Sequence, residues 1–198
     1  MASEGVLPAG VDPGESSDEL PLRDQIANGL TAVVLMGMVA ALLHSLVRLR
    51  RQNGMPGSGT SVALLLTVLV GLGISGYTAY AALAEVELMC GPLGGCSAVQ
   101  ESEYSKLFGI PMGVLGLIGY SVILVTWLIA RYLSPQGGGW YWLPWAVALF
   151  GMLFSLRLTS LEHFVIGATC LWCLGSAVSI TVVLWLLSGC TRKAKRMT

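Results

Sequence analysis

The chain has 198 residues, 55% of them hydrophobic and only 11% charged, and its net charge is zero. Soluble domains carry about 25% charged residues, so this composition excludes an ordinary soluble enzyme, and no nucleic-acid partner is expected. What it allows is a chain held mostly in a lipid bilayer.

A helix needs about 20 apolar residues to cross the hydrocarbon core. Five runs come close to or exceed that length: residues 26–46, 61–83, 111–133, 142–160 and 165–187. In lipid every backbone polar group must bond internally, so all five are predicted to be helices packed in one bundle. The expected fold class is an all-α membrane protein: a four-helix transmembrane bundle over residues 61–187, plus one extra N-terminal transmembrane helix over 26–46. Residues 1–25 are acidic, rich in Pro, Gly and Ser, and lack the basic start and apolar core of a signal peptide. They read as a disordered tail. Residues 47–60, with Gly54, Pro56, Gly57 and Gly59, read as a flexible linker, and 188–198 as a basic tail.

Five spans place the termini on opposite faces. Arg48, Arg50, Arg51, Arg192, Lys193, Lys195 and Arg196 then fall on one face, and all eleven acidic residues on the other. Lys and Arg accumulate on the cytoplasmic side. The N-terminus and the loop 84–110 are therefore expected outside the cytoplasm, and the C-terminus inside it.

Within the spans, His44 lies near the cytoplasmic end of the first and carries no evident role. Gly71, Gly73, Ser75 and Gly76 mark a close helix approach in the second. Gly113, Gly116 and Gly119 recur every three residues in the third. They form either a packing stripe or a slot for a flat ligand. Trp140, Tyr141, Trp142 and Trp145 read as an interfacial aromatic belt. Arg157, near the outer end of the fourth span, is expected to snorkel outward; pairing with Glu162 or support of a nearby thiolate are the alternatives.

The loop 84–110 contains Cys90-Gly91-Pro92-Leu93-Gly94-Gly95-Cys96. Its glycines and proline let the two cysteines reach the Cα separation of about 5.5–6 Å that a disulfide needs. Ser97-Ala98-Val99-Gln100 has capping-box spacing. A short amphipathic helix is predicted from there through Leu107 and Phe108, ended by Gly109, with Pro111 opening the third span. Thr169-Cys170-Leu171-Trp172-Cys173 opens the last span on the same face of the membrane. Cys170 and Cys173 share a helix side. A helix N-terminus favours a thiolate, the species that attacks disulfides. Cys170 is expected nearer the surface and within reach of the loop, and Cys173 one turn deeper.

Two thiol pairs that meet at a membrane surface point to a relay carrying electrons into the bilayer, where a quinone is the oxidant able to arrive. Two structural disulfides form an alternative, since that compartment permits them, although C-x-x-C closes a loop too short to constrain the unfolded chain. A four-cysteine metal-binding protein and a purely structural membrane protein are the others. Zinc favours C-x-x-C spacing, but only one pair has it, and no metal is expected. Cys190 lies across the bilayer from the other four and stays outside any relay.

Cys90-x5-Cys96, Ser102, Phe108-Gly109-Ile110-Pro111 and Cys170-x-x-Cys173, in this order, resemble the vitamin K epoxide reductase family, above all its bacterial homologues. The alternative DsbB type of membrane thiol oxidase has the C-x-x-C before the spaced pair, the reverse of the order here. The resemblance covers about residues 61–187. It implies a catalytic four-helix bundle around a quinone (ubiquinone, menaquinone or related) in a bacterial cytoplasmic membrane, with its redox site at the extracytoplasmic end. It implies that Cys173 faces the quinone, that Cys170 exchanges with Cys96, that Cys90 exchanges with a partner, and that Ser102 stabilises the loop. Many bacterial members carry a fused thioredoxin-like domain. This sequence ends at Thr198 without one, so a separate thioredoxin-like (DsbA-type) protein is the expected partner. Epoxide reduction is not expected, since no match to the vertebrate quinone-contacting residues is found.

Overall fold

The computed structural model describes residues 20–48, 58–86, 88, 106–107, 109–132, 142–161 and 170–189. Five helices account for most of them: α1 (Leu20–Arg48), α2 (Ser58–Ala84), α3 (Met112–Tyr132), α4 (Trp142–Leu161) and α5 (Leu171–Ser188). Each is long and apolar enough to cross a membrane. A two-stranded hairpin, β1 (Lys106–Leu107) with β2 (Ile110–Pro111), precedes α3.

The helices alternate in direction. Helix α2 packs on α3 and α5, and α4 packs on both of these, closing a four-helix ring. Helix α1 lies outside the ring against α5 and α4. The expected four-helix bundle with one additional N-terminal span is thus the observed architecture. Its core is built from Leu64, Val68, Ile123, Ala148, Met152, Ala177, Val183 and Leu184, joined by Met38 of α1. Large apolar side chains such as Val33, Leu66, Val125 and Phe150 face outward, as lipid contact requires.

Glycines set the spacing of α2 and α3. A Cβ at Gly113 would stand 2.5 Å from the Ala79 amide nitrogen, and one at Gly116 would stand 2.7 Å from Ser75 Oγ. Gly71 makes room for the Tyr120 ring, whose hydroxyl donates to the Ser176 carbonyl at 2.9 Å and ties α3 to α5. Gly119 meets nothing. Three-residue spacing falls short of the 3.6-residue turn, so the stripe rotates away from α2 by its third member. At Gly113 and Gly116 the space is filled by α2 and offers no ligand slot.

Hydroxyls inside the spans bond within the protein, whereas the Trp127 indole N–H is buried without an acceptor among the described residues. Thr31, Ser121, Ser179 and Thr181 each donate to the carbonyl four residues earlier. At the end of the bundle away from Cys170, the Trp145 indole N–H donates to Ser45 Oγ at 2.8 Å, and Ser45 and Ser188 share a hydrogen bond of 2.8 Å. Ser188 also donates to the Leu184 carbonyl at 2.6 Å. The chain Trp145–Ser45–Ser188 pins α1 to α4 and α5. Arg131 reaches Ser61 Oγ at 3.1 Å at the same end and lies over the Trp127 ring.

Several expectations need correction. Residues 20–25, read as part of a disordered tail, are helical, as are residues 58–60 of the expected linker. Trp145 is a buried cross-helix donor and not a member of an interfacial belt, whereas Trp142 is exposed as a belt residue should be. The amphipathic helix expected before Gly109 does not continue through Lys106 and Leu107, which pair as a strand with Pro111 and Ile110. Gly109, at a φ of 82°, supplies the left-handed turn that reverses the chain there. The rest of that predicted helix lies outside the described residues.

Replacing Gly113 with Ala is expected to cost about 1–3 kcal/mol by forcing α2 and α3 apart. Gly119→Ala should be neutral or stabilising by up to about 1 kcal/mol. Thermal melting of both variants in detergent checks the contrast. Ser45→Ala leaves the buried Trp145 N–H without its acceptor and should cost about 1–3 kcal/mol, read by the same melt.

Candidate redox site

Helix α2 ends at Ala84 in a left-handed residue, Glu85, with φ of 53°. The Val86 N–H returns to the Ala81 carbonyl at 3.1 Å. This is the six-to-one bond of a Schellman cap. It satisfies a terminal carbonyl and turns the chain sharply off the helix, at the expense of left-handed backbone in a residue with a Cβ. Leu88 then folds back onto the bundle. It is buried in a cluster with Ala81 of α2 and Cys170, edged by Tyr77, Trp172 and Cys173.

The last helix begins at Leu171, later than the expected residue 165, and Cys170 is its N-cap. Cys170 has the extended backbone that an N-cap needs, φ −93° and ψ 116°. Its carbonyl accepts the first helical bond, from the Leu174 N–H at 3.0 Å. Its sulfur accepts from the Cys173 N–H at 3.4 Å. The C-x-x-C spacing is therefore the spacing of a capping interaction, with sulfur in the place usually taken by a Ser, Thr or Asp oxygen. An N-terminal amide and the positive end of the helix both act on that sulfur, and both favour its anionic form.

Along the helix axis Cys170 does come before Cys173, as expected. Exposure runs the other way: Cys170 is only 1% exposed, while Cys173 is half-buried. The N-cap side chain turns inward against α2 and Leu88, and the first turn of α5 carries Cys173 partly clear of that contact. Trp172, between the two cysteines, packs its ring against Tyr77 of α2, with centroids 4.7 Å apart and planes tilted by 50°. The tilted pair gives the site an aromatic wall that links α2 to α5.

Cys90, Cys96 and Ser102, the other residues expected in the site, lie outside the described residues, as does Cys190. Arg157 is exposed on α4, which fits a snorkelling side chain. Sequence reading missed Tyr77, Leu88 and the capping role of Cys170. Trp172 stood in view inside the C-x-x-C, but nothing in the sequence pairs it with a tyrosine 95 positions earlier.

No solved structure matches the chain. A model of the vitamin K epoxide reductase family matches residues 62–188. That range takes in nearly all of α2, the hairpin, α3 to α5 and the sequence positions of Cys90, Cys96, Cys170 and Cys173, and leaves α1 outside. Together with five helices able to span a bilayer and a C-x-x-C capping the last of them, the match identifies an integral membrane oxidoreductase of the quinone-linked thiol type: the chain belongs to the vitamin K epoxide reductase family.

Proposed function

We propose that this protein oxidises a separate, extracytoplasmic thioredoxin-like protein of the DsbA type. In this reading, electrons pass from the partner to Cys90–Cys96, then to Cys170–Cys173, then to a membrane quinone, in support of disulfide formation. One observation carries the order of the relay: Leu88, two residues before Cys90 in the sequence, packs in the cluster around Cys170. The chain leaving α2 toward the loop cysteines is thus held against the buried thiol. The division into an accessory helix at 26–46 and a catalytic bundle at 61–187 belongs to the same proposal. So does the membrane orientation. Arg48 and Arg131 stand at helix ends away from Cys170, which supports a cytoplasmic location for that end.

The residues around Cys173 suit a quinone. A half-buried thiol stands beside two aromatic rings and apolar walls, which offer a flat surface to a flat ring and exclude water. Cys173 is the residue that would face it. A bound quinone supplies a sink for two electrons and two protons.

The chain's own residues account for the exchange steps. The partner's dithiol reduces the Cys90–Cys96 disulfide through a mixed disulfide at Cys90, and two electrons and two protons move with it. The Cys96 thiolate then attacks Cys170 of the Cys170–Cys173 disulfide, and Cys173 leaves as a thiolate. Cys90 next attacks Cys96, re-forming the loop disulfide and expelling Cys170. The leaving Cys170 sulfur is the one that accepts the Cys173 N–H at the helix start, and a stabilised leaving thiolate speeds exchange. Ser102 is assigned the support of the loop in this scheme.

Cys173→Ala is expected to reduce quinone reduction to background when the purified protein is driven by a reduced thioredoxin-like protein in detergent. Turnover near the wild-type rate would remove Cys173 from the end of the relay. Cys170→Ala should accumulate less mixed disulfide than Cys173→Ala on non-reducing gels, because it lacks the exchanging thiol. Equal trapping by the two variants would overturn the assignment of Cys170.

A further inference from the structure

Between α1 and α5, open to the surface of the bundle, lies a groove of about 470 Å³. Gly37, Ala40, Ala41 and His44 of α1 line it, with Thr181 and Trp185 of α5 opposite. Its size falls in the range of built small-molecule sites, and at exposed Gly37 a Cβ would stand in open space. The helices on either side are held by the buried Ser45–Ser188 bond, so the groove exists before anything enters it. Around it Met36, Leu43 and Trp185 are exposed. That apolar rim faces lipid, the phase in which a molecule with an apolar chain resides.

The titratable side chain of the groove stands at one end, and the Thr181 hydroxyl at the other is turned back onto the Ala177 carbonyl. Gly37 and Ala40 form an apolar floor, while His44 stands about 10 Å further along the helix. One turn beyond His44, on the same side of α1, comes Arg48 in the last helical turn. Arg50 and Arg51 follow in the sequence. An apolar trough with a histidine at one end, and an arginine one helical turn beyond it, complements a molecule with an apolar chain and one negatively charged head. Basic pockets between helices at the membrane surface select such headgroups.

We propose that the α1–α5 groove binds an anionic phospholipid, its acyl chain on the Gly37–Ala41 floor and its phosphate at His44 and Arg48. Helix α1, which lies outside the family match, thereby gives the bundle a lipid-binding flank distinct from the redox end.

Native mass spectrometry of the delipidated full-length protein, titrated with phosphatidylglycerol or phosphatidylcholine, tests this. Wild type should bind phosphatidylglycerol about fivefold more tightly, the preference expected from one interfacial arginine. Arg48→Ala should make the two lipids equal. Gly37→Leu, whose side chain fills the groove without meeting a neighbour at its Cβ, should weaken both. Retention of the preference in Arg48→Ala, or of full binding in Gly37→Leu, would overturn the proposal. So would a dimer that Gly37→Leu disrupts, since the groove would then take a second copy of the chain.

Discussion

The constraint on which this structure depends is the absence of a hydrogen-bonding solvent along most of its length. A backbone or hydroxyl group left unpaired in lipid costs several kcal/mol, so helices are the only form available to the five spans. The same constraint explains why the interior hydroxyls turn back onto their own helices, as Ser121, Ser179 and Thr181 do. It also explains why the few polar contacts between helices carry so much of the architecture. Tyr120 to Ser176 joins α3 to α5, and Trp145–Ser45–Ser188 joins α1 to both α4 and α5.

Hydrophobicity does little to hold helices together in this setting, because lipid is as apolar as a leucine core. Close packing takes over, and it is concentrated where side chains are missing. Gly113 and Gly116 bring α3 against α2 at the redox end, and Gly71 admits the Tyr120 ring further down. These contacts fix the start of α3 beside the end of α2. The hairpin at Lys106–Pro111 and the capped turn at Glu85 therefore leave from neighbouring points. The cysteine loop begins and returns at the same end of the bundle that carries Cys170.

The chemistry of the C-x-x-C follows from its place at a helix start. The buried thiol is also the helix cap, and its sulfur accepts the Cys173 N–H at the positive end of the helix. The more exposed Cys173 stands next to an aromatic pair. One turn of helix thus separates two thiols with different surroundings.

Composition and spacing by themselves determined the five spans, their alternation and the four-plus-one arrangement, because bilayer thickness and helix rise leave little freedom once apolar runs reach about 20 residues. Short-range signals were less secure. Capping-box spacing at Ser97 promised a helix that does not extend through Lys106–Leu107, since the left-handed Gly109 reverses the chain into a hairpin. Every-third-residue glycines promised a stripe that α2 follows for only two of its three members. Tertiary structure alone decided that Trp145 is a buried donor, that Leu88 and Tyr77 meet the C-x-x-C, and that Cys170 is hidden while Cys173 is not. Those outcomes depend on how helices rotate and approach one another, and that is set by contacts between residues dozens of positions apart, which no local pattern records.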